Sequence, residues 1–92
     1  MDPDIEALIP RFLQDLAKLV ASAQEALGVG DMDAIKAIGH KIRGAGGSFG
    51  FDRVSELGEI LEVRAPAGEN EIIRRALDEL ESFAYEVGRN GN

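Results

Sequence analysis

The stretch GHKIRGAGGSFGF, residues 39–51, decides how the chain is read. Its apolar residues Ile42, Ala45 and Phe49 stand three and four apart, the spacing of a helix. Yet five of its thirteen residues are glycine, and each glycine inside a helix costs about 1 kcal/mol relative to alanine. Four of them, Gly39, Gly44, Gly46 and Gly47, fall within the helix. The penalty is roughly 3–4 kcal/mol, against a total stability of about 5–15 kcal/mol for a domain. Something the helix does must offset it, and the chain's single histidine, His40, lies in the same stretch.

Working outward, the helix that holds this stretch carries the stripe Ile35, Ile38, Ile42, Ala45 and Phe49, with Asp31 at its N-cap and Gly50 at its end. Before it, Ile5, Leu8, Ile9, Phe12, Leu13, Leu16, Leu19, Val20, Ala23 and Leu27 repeat at helical steps. Pro10 removes a backbone donor there, which predicts a short lead-in turn over Pro3–Leu8 and a main helix over Pro10–Leu27. Gly28 is expected to stop it, with Val29 making the apolar contact of a glycine C-cap. After the stretch, Asp52 is placed to cap a third helix bearing Val54, Leu57, Ile60 and Leu61, which Pro66 and Gly68 end. Asn70 is placed to cap a fourth, with Ile72, Ile73, Ala76, Leu77, Leu80, Ala84 and Val87 on its buried side. No segment alternates with period two, so the fold expected is all-α. Short loops make it an antiparallel up-down-up-down four-helix bundle with a short N-terminal lead-in helix. Ninety-two residues suffice for one domain spanning 1–92, with a frayed tail over 86–92.

The helical period also fixes which way His40 faces. With Ile35 at zero and about 100° per residue, the apolar stripe centres near 320° and His40 falls near 140°, away from the core. Gly39 and Gly46, at roughly 40° and 20°, border the stripe, where a missing side chain lets a neighbouring helix come close. Gly44 and Gly47, at roughly 180° and 120°, flank His40 on the exposed side, where no core packing accounts for them. They leave the imidazole on a low platform open to another molecule. Lys36 and Arg43, four residues before and three after, lie beside it, with Lys41 next in sequence and Arg53 further on. Such cations would stabilise a phosphoryl group on the ring. The alternative is a solvated basic face carrying a passive surface histidine.

Composition removes other chemistries. The chain lacks cysteine, which excludes disulfides and thiolate chemistry, and one histidine cannot build a multi-histidine metal site. Ten basic against seventeen acidic residues give a net charge of -7, which argues against nucleic acid as a partner. No apolar run approaches the about 18 residues of a membrane span, and the acidic start MDPDIEAL is unlike a signal peptide. A cytoplasmic, monomeric protein away from membranes is expected, and a chain beginning with Met is expected to be free-standing.

HKIRGAGGSFGF, with the helix before it and the amphipathic helix after it, resembles the histidine-containing phosphotransfer (HPt) domains of bacterial multistep phosphorelays. It is also similar to the N-terminal phosphotransfer domain of chemotaxis-type histidine kinases. The family pattern is His, any residue, an aliphatic, Lys or Arg, Gly, two small residues, then an apolar residue and Gly. His40, Lys41, Ile42, Arg43, Gly44, Ala45, Gly46, Phe49 and Gly50 hold those places. The resemblance implies a phosphoryl carrier in a two-component phosphorelay. His40 would accept a phosphoryl group on Nε2, from a receiver-domain phosphoaspartate or a histidine kinase, and pass it to a receiver aspartate. It implies that Arg43 assists, in a place where most members have Lys, and that Lys36 and Lys41 support the same charge. In chemotaxis-type members a Glu from the next helix contacts the other ring nitrogen, and Glu62 stands at the matching distance along the chain; its other reading is an exposed helical glutamate. The docking face for response-regulator receiver domains would comprise Lys36, Ala37, Lys41, Gly44 and Gly47. No metal or cofactor of its own is expected, Mg²⁺ being held by the partner receiver. With neither a Walker-type loop nor paired catalytic carboxylates in the sequence, autonomous kinase activity is not expected. Two alternatives stand beside this: a helical adaptor or dimerisation module that keeps the fold without the chemistry, and the excised phosphotransfer domain of a chemotaxis-type kinase.

Overall fold

The computed structural model describes residues 3–90. Among them, four helices follow one another: α1 (Pro3–Val29), α2 (Met32–Phe49), α3 (Asp52–Arg64) and α4 (Asn70–Asn90). Each helix packs on two neighbours, α1 on α2 and α4, α3 on α2 and α4, and among the described residues the backbones of the diagonal pairs stay apart across the core. Neighbours run antiparallel, as the cross-contacts record: Gly39 faces Leu61 and Gly46 faces Ser55 between α2 and α3. Gln24 reaches Glu81 between α1 and α4, while Leu13 lies against Gly88. The core at the bundle's centre is built of Leu16, Val20, Ile35, Ile42, Leu57, Leu61, Ile73, Leu77 and Leu80, each buried.

All four phenylalanines gather at one end. Phe12 of α1 stacks on Phe49 at 4.7 Å and on Phe51 at 5.4 Å, and Phe51 meets the edge of Phe83 of α4 at 5.3 Å. Phe51 thus ties the turn between α2 and α3 to both other helices, each ring pair contributing about 0.5–1.5 kcal/mol beyond area burial.

The helix ends differ from expectation in several places. The lead-in and main helix at the N-terminus are one continuous α1 with Pro10 inside it. Pro10 lies on the exposed face, so the carbonyl of Glu6 that loses its donor is open to water and the helix need not break. Gly30, not Gly28, ends α1: it holds φ +76°, and the Asp31 N–H donates to the Ala26 carbonyl across it. Val29 makes no apolar cap contact and is largely exposed. Gly50 ends α2 as expected, at φ +78°. Asp31 caps α2 with its carboxylate accepting from the Ala34 N–H at 3.1 Å. Asp52 is the first residue of α3 rather than its cap, which is Phe51, without a side-chain bond. Asn70 likewise opens α4, whose first turn hydrogen-bonds back to the Glu69 carbonyl. Ile5, Leu8 and Ile72 of the apolar stripes stay exposed, since they stand toward helix ends where the neighbouring helix no longer covers them. The tail expected to fray over 86–92 is helical as far as Asn90, because Val87 packs against the core; 91–92 lie outside the described residues. No helix among the described residues is long and apolar enough to cross a membrane.

Candidate functional site

Three interior glycines set the spacing between α2 and α3. A Cβ on Gly39 would stand 2.7 Å from both the Glu62 nitrogen and the Gly58 carbonyl oxygen, and one on Gly46 would stand 2.6 Å from the Ser55 nitrogen. From the other side, a Cβ on Gly58 would strike the Arg43 nitrogen and lie 2.8 Å from the Gly39 carbonyl oxygen. Backbone therefore packs directly on backbone along this pair of helices. That contact offsets the propensity penalty of Gly39 and Gly46.

The close approach carries Glu62 of α3 to the flank of His40 on α2. His40 Nδ1 lies 3.0 Å from Glu62 Oε2, with 74% of the histidine side chain exposed and 22% of the glutamate. A carboxylate can only accept, so in the neutral ring Nδ1 carries the proton and donates it. The Nε2 lone pair is left as the free, nucleophilic end of an exposed ring. Arg43 Nη1 donates to the second oxygen of Glu62 at 3.3 Å, so one carboxylate holds both the imidazole and the guanidinium. Ser55 donates its hydroxyl to the Arg43 carbonyl at 3.0 Å, a second link between the helices at this level.

Partial burial works against ionisation of Glu62, and the hydrogen bonds from His40 and Arg43 together outweigh it, leaving the carboxyl below its ordinary value of 4.5. Glu79 is lowered too, first by its hydrogen bonds to Arg53. A depressed folded-state value means that the stability these groups contribute is complete above about 4.5 and is lost as pH falls through the lower folded value. Glu62→Gln is accordingly expected to lose less stability than the parent chain between about pH 6 and about pH 3. Denaturant midpoints across that range check it, and parallel curves for the two proteins refute it.

The site residues read from sequence separate into two groups. His40, Arg43 and Glu62 are brought together by hydrogen bonds. Lys36, Ala37, Lys41, Gly44 and Gly47 form the exposed surface of α2 around them, and among the described residues Lys36 and Lys41 make no ion pair. A Cβ on Gly44 would meet nothing within 4 Å, and one on Gly47 only the Ser55 hydroxyl at 3.9 Å. Arg53 leaves the basic cluster: both its Nε and Nη2 are spent on Glu79, at 2.6 and 2.8 Å. Sequence reasoning missed Gly58 and Ser55. Gly58 had a usable signal, an interior glycine four residues after Val54 and three before Leu61, bordering the stripe of α3 as Gly46 borders that of α2. Ser55 had none.

No curated protein and no solved structure matches the chain. A family model does, that of the Hpt domain, over residues 7–88.

Proposed function

The chain belongs to the Hpt domain family, whose members carry phosphoryl groups in phosphorelays, working with receiver domains and histidine kinases rather than as kinases themselves; on that premise we propose that His40 is the phosphoacceptor. The observation that supports this most is the exposed imidazole held at Nδ1 by Glu62, with Nε2 left free. In the transfer, the Nε2 lone pair forms a bond to phosphorus while the bond from phosphorus to the donor carboxylate oxygen breaks and the aspartate leaves as a carboxylate. The ring gains positive charge as that bond forms. Glu62, ionised and bonded to the Nδ1 proton, stabilises it there. Transfer onward to a receiver aspartate is the same path reversed.

Arg43 is the side chain best placed to meet the incoming phosphoryl oxygens, by turning its guanidinium from Glu62 outward. Lys36 and Lys41 add positive potential on a chain that is otherwise acidic. Mg²⁺ belongs to the receiver that closes over the site, and positioning by the two partners supplies the rest. The His40–Glu62 bond is the arrangement expected of the chemotaxis-type members, which favours that branch of the family. Incubation with phosphorylated receiver domains tests the proposal: the chain is expected to take up an acid-labile, base-stable label, and absence of label from every receiver and kinase of the source cell overturns it.

The bare platform around His40 gives a separate prediction. The Cβ of Gly44→Gln meets nothing within 4 Å and that of Gly47→Gln makes only ordinary contact with the Ser55 hydroxyl at 3.9 Å, so each is expected to keep or raise stability, by up to about 1 kcal/mol. Each also puts a long side chain where the receiver must dock, and transfer is expected to slow by about tenfold or more. Thermal melts and transfer rates should therefore move in opposite directions; wild-type transfer in both variants refutes the docking role of these glycines.

A further inference from the structure

On the edge of the bundle opposite His40, between α1 and α4, runs an open groove of about 1000 Å³. Leu13 and Phe51 form its floor, and Ile9, Ala84 and Val87 are half-buried along it rather than sealed into the core. Tyr85 stands on its lip, 63% exposed and the chain's only tyrosine. Two carboxylates rim it, Glu6 from α1 and Glu81 from α4, while among the described residues no lysine or arginine lines it. Glu81 accepts a hydrogen bond from Gln24, a neutral donor that leaves its charge in place. Among the described residues Glu6 makes no ion pair.

The geometry points to a docking site for a basic amphipathic helix of a partner protein. Both walls are helices whose backbone groups, apart from the Glu6 carbonyl that Pro10 leaves without a donor, are paired within themselves, so the groove offers no continuous edge on which a strand could hydrogen-bond. A helix satisfies its own backbone and needs only an apolar face to lay into the cleft. The α1 wall from Glu6 to Val20 spans about 21 Å, four helical turns. The carboxylate rim selects Lys or Arg at the flanks of that face. It also disfavours a second copy of this chain, which carries a net charge of -7. Because the groove lies on the α1–α4 edge and His40 on the α2–α3 edge, a bound helix leaves the phosphotransfer face free.

The probe is a synthetic peptide of about 18 residues, free of Tyr and Trp, with Leu at i, i+3, i+4 and i+7 repeats and Lys elsewhere. Since the chain has one tyrosine and no tryptophan, Tyr85 emission reports the groove directly. Saturable change with this peptide is expected, with binding about tenfold weaker or worse for three comparisons: the peptide with Glu in place of Lys, the peptide with Ser in place of Leu, and Ala17→Lys protein. Ala17 is an exposed groove residue, so its replacement leaves the core intact, and a melt confirms that the variant is folded. No saturable change overturns the assignment, as does equal binding of the Ser peptide, which reduces the effect to charge alone. Concentration-dependent dimerisation that alters Tyr85 emission overturns it in favour of a second copy. A peptide that slows labelling of His40 has bound the other face and overturns it too. If His40 takes no label at all, the proposed function fails while the fluorescence result stands by itself.

Discussion

Replacing His40 by glutamine is expected to reduce phosphoryl labelling to background while melting temperature and helical content stay at the parent values. The loss should be complete because the chain offers no second imidazole and no thiol to take over. Stability should hold because three-quarters of the side chain already faces solvent, so its removal takes nothing from the core. What the fold loses is one exposed hydrogen bond to Glu62, which a glutamine amide is able to replace in part. Labelling from a phosphorylated receiver, followed by acid and base treatment of the adduct, reads the outcome beside a thermal melt. Undiminished label on His40→Gln would falsify the assignment of the phosphoacceptor. Loss of label together with unfolding would place His40 among the structural residues instead, contrary to its exposure.

The orientation of His40 was legible from the sequence because one period governs the whole helix: once Ile35 and Ile42 define the buried side, every other residue of α2 follows. The same period separated Gly39 and Gly46, which pack on α3, from Gly44 and Gly47, which meet no neighbour closely. Contacts between helices carry no such period. The His40–Glu62 bond depends on how α3 is set against α2, which the wheel of either helix alone leaves undefined; the sequence pattern expected of chemotaxis-type domains pointed to it where helical periodicity did not. Phe51 reads as a turn residue, and its place at the centre of the aromatic cluster arises only when α1 and α4 close over that turn. Helix ends failed for a related reason. Gly28 and Gly30 are equally able to end α1, and the choice falls on whichever one lets the short connection deliver Asp31 to cap α2.

Gly58→Ala is expected to destabilise the bundle even though alanine is the better helix former. Three forces compete at this position. Helix propensity favours alanine by about 1 kcal/mol, and a methyl group adds a little buried apolar area. Against both, the new Cβ meets the Arg43 nitrogen, the Gly39 carbonyl oxygen at 2.8 Å and the Arg43 Cα at 2.9 Å. All three are backbone atoms, so no side chain can turn aside and α2 must move as a body away from α3. Overpacking of this kind costs about 1–3 kcal/mol and more where the backbone cannot yield. In a domain of this size each kcal/mol corresponds to about 4–8 °C, so with the propensity gain subtracted the net cost is up to about 2 kcal/mol and a fall of up to about 16 °C in melting temperature is expected. The displacement also reaches the site, since it widens the gap that Glu62 spans to His40, and phosphotransfer should slow in whatever fraction remains folded. Gly44→Ala is the control: the same substitution in the same kind of helix, with nothing within 4 Å, should raise the melting temperature instead. Opposite signs at the two glycines identify backbone contact, rather than helix propensity, as what holds Gly58 in place. A Gly58→Ala protein that melts at or above the parent temperature would show that the two helices have room to spare, and the close α2–α3 approach would no longer account for the position of Glu62.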